Sequence, residues 1–185
     1  MQDATPTTGP RVAPITDEEC SEQVREFFAE IDGPGGRRGL SKFNVVRTLA
    51  HHPDLAARYM NLGVHVLRLS SLPPRLRELT VLRTACLFRA DYEWTKHAEE
   101  ARRLGVSEEE IEAIRVGSDS SVFSGLEKSA LRAVEQLQKD TDIDDETWTV
   151  LAEHLDQPQL LDFLVTVGSY AMLAMVVNAL RVDEE

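Results

Sequence analysis

Three ionisable residues with a regular spacing lie in residues 72–97, LPPRLRELTVLRTACLFRADYEWTKH, and could carry acid–base chemistry. They are Glu78, Glu93 and His97. Because Glu93 and His97 are four residues apart, they share one face if this stretch is helical. His97 is also in register with Ala101, so the imidazole is expected on the apolar side of its helix. Imidazole and carboxylate groups in such surroundings can exchange protons near neutral pH.

A purely structural interpretation of the same residues stands beside this one. An exposed Glu–His pair one helical turn apart contributes only a few tenths of a kcal/mol to stability, roughly, and has no catalytic consequence. Glu78 lies in a charged helix start, three residues after Arg75, where a solvated glutamate would be ordinary. The residues alone therefore leave both interpretations open.

The spacing, together with its flanking segments, resembles the carboxymuconolactone decarboxylase family, whose wider group includes the alkyl hydroperoxidase D type. The peroxidase branch of that group carries a glutamate, two cysteines and a histidine at fixed intervals. Laid on this chain, Glu78 and His97 match the ends of the pattern, while Ala90 and Glu93 occupy the cysteine positions. The resemblance covers roughly residues 11–182.

No alternating strand pattern is present, which predicts an all-α chain, and residues 1–15, rich in Thr, Pro and Gly, are expected to form a flexible N-terminal tail. The resemblance implies a single-domain, hydroperoxidase D-like helical fold over residues 16–182. Because both cysteines of the pattern are missing, thiol peroxidase chemistry is disfavoured. The expected function is that of a cofactor-free lyase or decarboxylase acting on a small carboxylated or lactone substrate. A hydroperoxidase-type antioxidant protein and a non-catalytic oligomeric binding protein on the same fold are the alternatives.

In this interpretation His97 donates a proton to the carbon that loses carbon dioxide. Glu93 orients and tunes His97, and Glu78 completes the proton relay. Arg75 or Arg83 could hold a substrate carboxylate. The expected aromatic lining of the pocket consists of Tyr92, Trp94 and Tyr170.

Composition limits the possible partners. The 185 residues carry a formal charge of −12, from 20 basic and 32 acidic residues, which argues against nucleic acid and anionic membranes. No spacing typical of a metal site is present, so neither metal nor cofactor is expected. Cys20 and Cys86 form no CxxC motif, and Cys86 is expected to be buried. The N-terminal sequence does not resemble a secretory signal, and a cytoplasmic location is expected.

The uncharged run of residues 163–180 is long enough to be a membrane-span candidate. A helix that is apolar all round can equally be buried in a core or in a subunit interface, and this second interpretation is preferred. The resemblance implies a homo-oligomer, a trimer or hexamer by family habit, although a dimer would also fit.

Local patterns predict several other features. Ser107 followed by Glu110 predicts a capping box. The spacing of apolar residues after Pro53 predicts a helix whose inward side chains are Leu55, Tyr59, Leu62, Val66 and Leu69. His65 has the pattern of an ordinary residue at a helix border.

Overall fold

The computed structural model describes residues 9–185, and within them it contains nine α-helices and no strand. The all-α prediction is therefore confirmed. Short 3₁₀ turns and one π-helical turn, His65–Leu69, join or extend the helices. The helices are α1 Glu22–Asp32, α2 Asn44–Leu49, α3 Pro53–Val64, α4 Pro74–Phe88, α5 Asp91–Arg103, α6 Glu108–Val116, α7 Gly125–Asp140, α8 Asp145–His154 and α9 Gln157–Leu180.

The chain divides into two compact units, one formed by Met1–Val64 with Val176–Glu185 and the other by His65–Met175. The predicted tail, residues 1–15, falls partly outside the described residues, which begin at residue 9. Its described end is hydrogen-bonded within the first unit. The amide of Arg11 donates to the carbonyl of Leu180 at 2.7 Å, and the Arg47 side chain donates to the carbonyl of Ile15 at 2.6 Å.

The first unit is built around α1, which buries Val24, Phe27 and Ile31 at helical spacing. Ser21 caps this helix by accepting a hydrogen bond from the amide of Val24, and Gly33 ends it with a positive φ of 67°. Polar and apolar positions thus separate cleanly on α1, as expected of a helix with one face against a core.

The second unit is organised by α4, which packs against α5, α6 and α7. Leu79, Val81 and Leu82 are all fully buried, although they point in different directions around the helix. Helix α4 is therefore a central helix with protein on most sides, and polar residues within it are buried as well. Thr80 and Thr84 satisfy their hydroxyl groups by donating to the carbonyls of Leu76 and Thr80, four residues earlier.

Helix α9 begins at Gln157 and ends at Leu180. By length and composition it could cross a membrane, with a mean hydropathy of 2.0 in its most apolar window, and 39% of that window is buried. It is also the one such helix among residues 9–185. A core or interface helix passes the same test, so the preference for burial stays a prediction.

Of the residues predicted to face inward, Val66 is buried and Tyr59 is half-buried, whereas the prediction is wrong for Leu55, Leu62 and Leu69. Their exposed fractions are 53%, 37% and 68%. The buried residues of this segment are Ala56, Met60 and Val66. Helix α3 has apolar residues on two faces, and the face with Ala56 and Met60 is the buried one. The capping box of Ser107 and Glu110 at the start of α6 is confirmed.

Candidate active site

A tight helical hairpin, formed by α4 and α5, carries the three residues of the Glu–Glu–His pattern. Only Arg89 and Ala90 separate the two helices. Arg89 adopts the left-handed conformation, with φ of 54° and ψ of 42°, and ends α4. Ala90 is buried and its carbonyl accepts the first hydrogen bond of α5 from Trp94. This short turn lets α4 and α5 pack side by side, so their inward side chains meet.

Glu78 and His97 form a short contact across this hairpin. His97 Nδ1 lies 2.7 Å from Glu78 Oε2. The Glu78 side chain has no exposed surface, and 10% of the His97 side chain is exposed. The prediction that Glu93 orients the imidazole is therefore modified, because the shorter contact belongs to Glu78.

The second oxygen of Glu78 is held by Arg77, a residue that the sequence analysis did not single out. Arg77 Nε and Nη2 each lie 3.0 Å from Glu78 Oε1. Burial by itself raises the pKa of Glu78. The hydrogen bond from His97 and the charges of His97 and Arg77 outweigh burial and hold that pKa below its ordinary value. Glu78 is thus an ionised acceptor, which requires the proton on His97 Nδ1 and leaves Nε2 to exchange protons.

Glu93 lies on the other side of the ring. Its Oε2 is 3.8 Å from His97 Nε2, within ion-pair range but too far for a hydrogen bond. The residue is buried, with 4% of its surface exposed. The imidazole is therefore placed between two carboxylates, one in close contact with Nδ1 and one further from Nε2.

Tyr170 reaches the same imidazole from α9. The two ring centroids are 4.9 Å apart and the rings are nearly perpendicular, at 88°. This edge-to-face arrangement is a favourable one for aromatic rings and restricts rotation of the imidazole. The ring contact with His97 confirms that the expected aromatic residue Tyr170 lies beside the imidazole.

The other two aromatic residues have different described contacts. Tyr92 is buried, and Lys96 Nζ lies 5.7 Å from the centre of its ring. Trp94 packs against the core that includes Leu79 and Leu82. The guanidinium carbon of Arg115 lies 3.9 Å from its ring centre, a cation–π contact. The structure thus gives Trp94 a packing role.

The two candidate carboxylate-binding arginines are engaged by protein carboxylates. Arg75 pairs with Glu110 of α6 and with Glu127 of α7, the latter at 2.7 Å. The hydrogen bond from Arg75 and the backbone bond from Ser107 lower the pKa of Glu110 to about 2. The structure therefore does not bring Arg75 to His97 as a substrate clamp.

Arg83 is likewise part of a buried network. Its Nη2 lies 2.9 Å from Glu135 Oε1, and its Nη1 donates to the carbonyls of Ile114 and Arg115 at the end of α6. Glu135 also accepts hydrogen bonds from the amide and the hydroxyl of Ser118. Gly117, with φ of 83°, lies directly against Arg83 and Glu135. Arg83 therefore joins α4, α6 and α7 and has its donors occupied.

The positions that would hold the two cysteines are accounted for. Ala90 lies in the α4–α5 turn, and Glu93 lies beside His97. Cys86 is free and half-buried, less enclosed than expected, while Cys20 is free and buried. Among residues 9–185, no cluster of three His, Cys, Asp or Glu residues is arranged to hold a metal ion.

A second carboxylate–imidazole pair was not anticipated from the sequence. His65 Nε2 lies 2.7 Å from Asp162 Oδ1, and Ser71 donates to Asp162 Oδ2 through both its amide and its hydroxyl. His65 lies in the π-helical turn and Asp162 in the first part of α9. No local spacing could have revealed this pair, since its members are 97 residues apart.

One cavity of about 220 Å³ lies in the second unit, away from the Glu–Glu–His residues. Its walls are mainly apolar and come from α4, α7 and α9. They include Phe88, Leu137, Leu164, Val167, Gly168 and Ala171.

Comparison with known proteins gives one family match. Residues 53–136 match the model of the carboxymuconolactone decarboxylase family. No curated protein matches the sequence at a significant level.

Solved structures with the same fold are distant in sequence. An uncharacterized peroxidase-related protein from Silicibacter sp. TM1040 is 13% identical, with a TM-score of 0.78 over 98% of this chain and 96% of that chain. An alkylhydroperoxidase AhpD core protein from Ralstonia eutropha JMP134 is 15% identical, with a TM-score of 0.75 over 94% and 93%. A variant of the debrominase Bmp8, in complex with 2,3,4-tribromopyrrole, is 17% identical, with a TM-score of 0.76 over 97% and 94%. At these identities the likeness shows the fold.

Proposed function

We propose that the protein is a cofactor-independent lyase or isomerase that acts on a small carbonyl, lactone or carboxylated compound. The match of residues 53–136 to the model of the carboxymuconolactone decarboxylase family supports this proposal. The single observation that carries this proposal is the buried contact between Glu78 Oε2 and His97 Nδ1 at 2.7 Å. It leaves Nε2 as the atom that gives and takes protons.

The simplest reaction of this class is the decarboxylation of an unsaturated lactone acid. The bond between the ring carbon and the carboxylate breaks, carbon dioxide leaves, and the electron pair stays on carbon as an enolate of the lactone carbonyl. His97 Nε2 then donates its proton to that carbon, and water restores the proton on His97. The reaction is redox-neutral and consumes one proton for each carbon dioxide released.

Glu78 has the orienting role in this mechanism, since it accepts from Nδ1 and stabilises the imidazolium that precedes proton donation. Glu93, on the Nε2 side, favours the charged ring between turnovers. The edge-to-face contact with Tyr170 restricts rotation of the His97 imidazole and so keeps Nε2 oriented for proton transfer. A substrate carboxylate would need a cation other than Arg75 and Arg83, which favours lactones and carbonyl compounds whose carboxylate is lost or absent.

The test uses carboxymuconolactone and simple β,γ-unsaturated lactones, incubated with the protein in D₂O. We expect carbon dioxide release or double-bond migration, with one deuterium in the product. His97→Gln should reduce the rate by roughly 10²–10⁴, the usual effect of removing a general acid. Equal rates for wild type and a folded His97→Gln variant would refute the proposal and favour a binding protein.

The hydroperoxidase alternative makes a different prediction. It requires a thiolate nucleophile, and the described free thiols are Cys20, buried, and Cys86, half-buried. We expect no thiol-dependent turnover of alkyl hydroperoxides. Peroxide turnover that is lost in Cys86→Ser, with Cys20→Ser as control, would support the alternative.

We also propose that the protein is a homo-oligomer. Helix α9 exposes apolar side chains on one face, at Leu161, Val165, Met172 and Met175, with exposed fractions of 64%, 40%, 44% and 59%. Such a face is typical of a subunit contact. Light scattering should give a multiple of the 20.7 kDa chain mass. Met172→Glu should lower that mass, whereas a single-chain mass for the wild type would contradict the proposal.

A further inference from the structure

Arg77 occupies an unusual position for a helix residue. Successive side chains on a helix point about 100° apart and do not normally face each other. Nevertheless Arg77 Nε and Nη2 both lie 3.0 Å from Oε1 of Glu78, the next residue. Only 12% of the Arg77 side chain is exposed. The arginine side chain therefore ends on the glutamate that contacts Nδ1 of the imidazole.

This contact divides the carboxylate of Glu78 between two partners. Oε1 faces the permanent charge of Arg77, and Oε2 faces His97 Nδ1. A buried carboxylate that had only the imidazole as partner would bind the imidazolium tightly and resist its deprotonation. With Arg77 present, the negative charge is already balanced, so Glu78 can orient the ring without holding it in the charged state.

The other groups that face His97 are the same with or without Arg77. Glu93 lies on α5, 3.8 Å from Nε2, and the phenol ring of Tyr170 approaches from α9. On α4 the facing groups are Glu78 and, behind it, Arg77. Substitution of Arg77 therefore changes one charge while the carboxylate on the Nε2 side and the aromatic contact stay in place.

We propose that Arg77 is a positioning residue that acts through Glu78, fixing the carboxylate against His97 Nδ1 and balancing its charge so that Nε2 can release its proton. The inference rests on the proposed function of His97 as proton donor. Arg77 itself touches no reacting atom. Its role is to set the pH range in which the pair works.

The experiment compares Arg77→Gln and Arg77→Lys with a control, Arg102→Gln. Arg102 holds Glu108 through Nε and Nη2 in the same manner, but its side chain is 47% exposed on the far part of α5. The first measurement is the titration of the His97 ring nitrogens by ¹⁵N NMR, which needs no substrate. The second is the pH profile of turnover.

We expect Arg77→Gln to move the midpoint of the His97 titration up by about one pH unit, because a nearby like charge disfavours the imidazolium and the substitution removes it. The alkaline limb of the turnover profile should move with it. Arg77→Lys should leave the titration midpoint of His97 close to that of the wild type, because it keeps the positive charge. It should still lower the rate, because lysine cannot contact Glu78 through two nitrogen atoms. Arg102→Gln should change neither.

The inference is overturned if the His97 midpoint in folded Arg77→Gln equals that of the wild type, or if Arg102→Gln shifts it equally. If Arg77→Gln does not fold, the Arg77→Lys variant provides the test. A turnover rate and a His97 titration midpoint both equal to those of the wild type would reject the positioning role. An active His97→Gln variant would instead refute the proposed function, while the NMR titration would still report whether Arg77 controls the ring.

Discussion

Two carboxylate–imidazole pairs in the second unit have the same separation and very different surroundings. Glu78–His97 and Asp162–His65 both meet at 2.7 Å. In the first pair the exposed side-chain fractions are 0% for the carboxylate and 10% for the imidazole. In the second they are 13% and 45%. The distance between the atoms is thus no guide to the chemistry, because solvent sets the strength of the interaction.

The partners of the two carboxylates differ as well. Glu78 is balanced by the charge of Arg77, whereas Asp162 accepts hydrogen bonds from the amide and hydroxyl of Ser71. Asp162 therefore fastens the segment before α4 to α9. Glu78 lies between Arg77 and His97 and fixes the orientation of the imidazole ring. We therefore interpret the Asp162–His65 pair as a structural link and the Glu78–His97 pair as the proposed site of proton transfer.

The largest difference between the pairs should appear in turnover. Glu78→Gln places an amide against His97 Nδ1 and favours the wrong tautomer, so we expect a loss of roughly 10²–10⁴ in rate. Asp162→Asn should stay within about twofold of the wild type, the range of a small local change. Rates on the lactone substrates measure both. Similar losses in the two variants would show that the pairs are not functionally distinct.

Stability should separate the pairs next. Glu78→Ala leaves Arg77 and His97 buried without their anion, and we expect a loss of about 3–5 kcal/mol in the free energy of unfolding. Asp162→Ala should cost about 1–2 kcal/mol, because water can replace its hydrogen bonds. Urea denaturation followed by circular dichroism provides the comparison. A smaller loss for Glu78→Ala than for Asp162→Ala would contradict it.

Acid should weaken the exposed pair in a defined range. Burial raises the pKa of Asp162, but the hydrogen bonds from His65 and Ser71 lower it to about 2. An unfolded aspartate has a pKa of about 3.9, so the stabilisation is present above that pH and is lost as the pH falls towards 2. We expect Asp162→Asn to remove about 2 kcal/mol of this acid dependence. Melting temperatures of both proteins between about pH 5 and pH 2 test it.

Salt should produce the smallest effect. At about pH 5.5, where an ordinary imidazole is charged, a double-mutant cycle on His65 and Asp162 should give a coupling of roughly 0.5–1 kcal/mol. Raising the ionic strength to about 1 M should reduce that coupling by screening, while the cycle on His97 and Glu78 should hardly change. Equal salt sensitivity in the two cycles would remove the distinction between an exposed and a buried pair.

Much of the fold could be predicted from the sequence, because helix starts and buried helix faces depend on residues that are close together in the chain. Ser107 and Glu110 form a capping box within four residues of chain, and α9 is recognisable as an uninterrupted apolar run. The Glu93–His97 spacing likewise placed both residues on the buried face of α5. These predictions depend on the period of the α-helix alone.

The environment of α4 could not be predicted in the same way. Its charged residues suggested an exposed face, whereas the helix is surrounded and Glu78 is fully buried. Arg75 and Arg83 were expected to bind a substrate carboxylate, but they form ion pairs with glutamates on α6 and α7. The choice between a protein and a substrate carboxylate depends on which helices pack together, and that is not encoded in a local spacing. The same holds for Asp162 and His65.

Gly117 has a consequence for how freely this sequence can vary. A methyl group at that position would overlap the Arg83 guanidinium and the Glu135 carboxylate, and its φ of 83° disfavours any other residue. The junction after α6 therefore admits no side chain unless the ion pair on α4 and α7 changes with it. In evolutionary terms, Gly117, Arg83 and Glu135 should be inherited or lost together, as a single linked character rather than three.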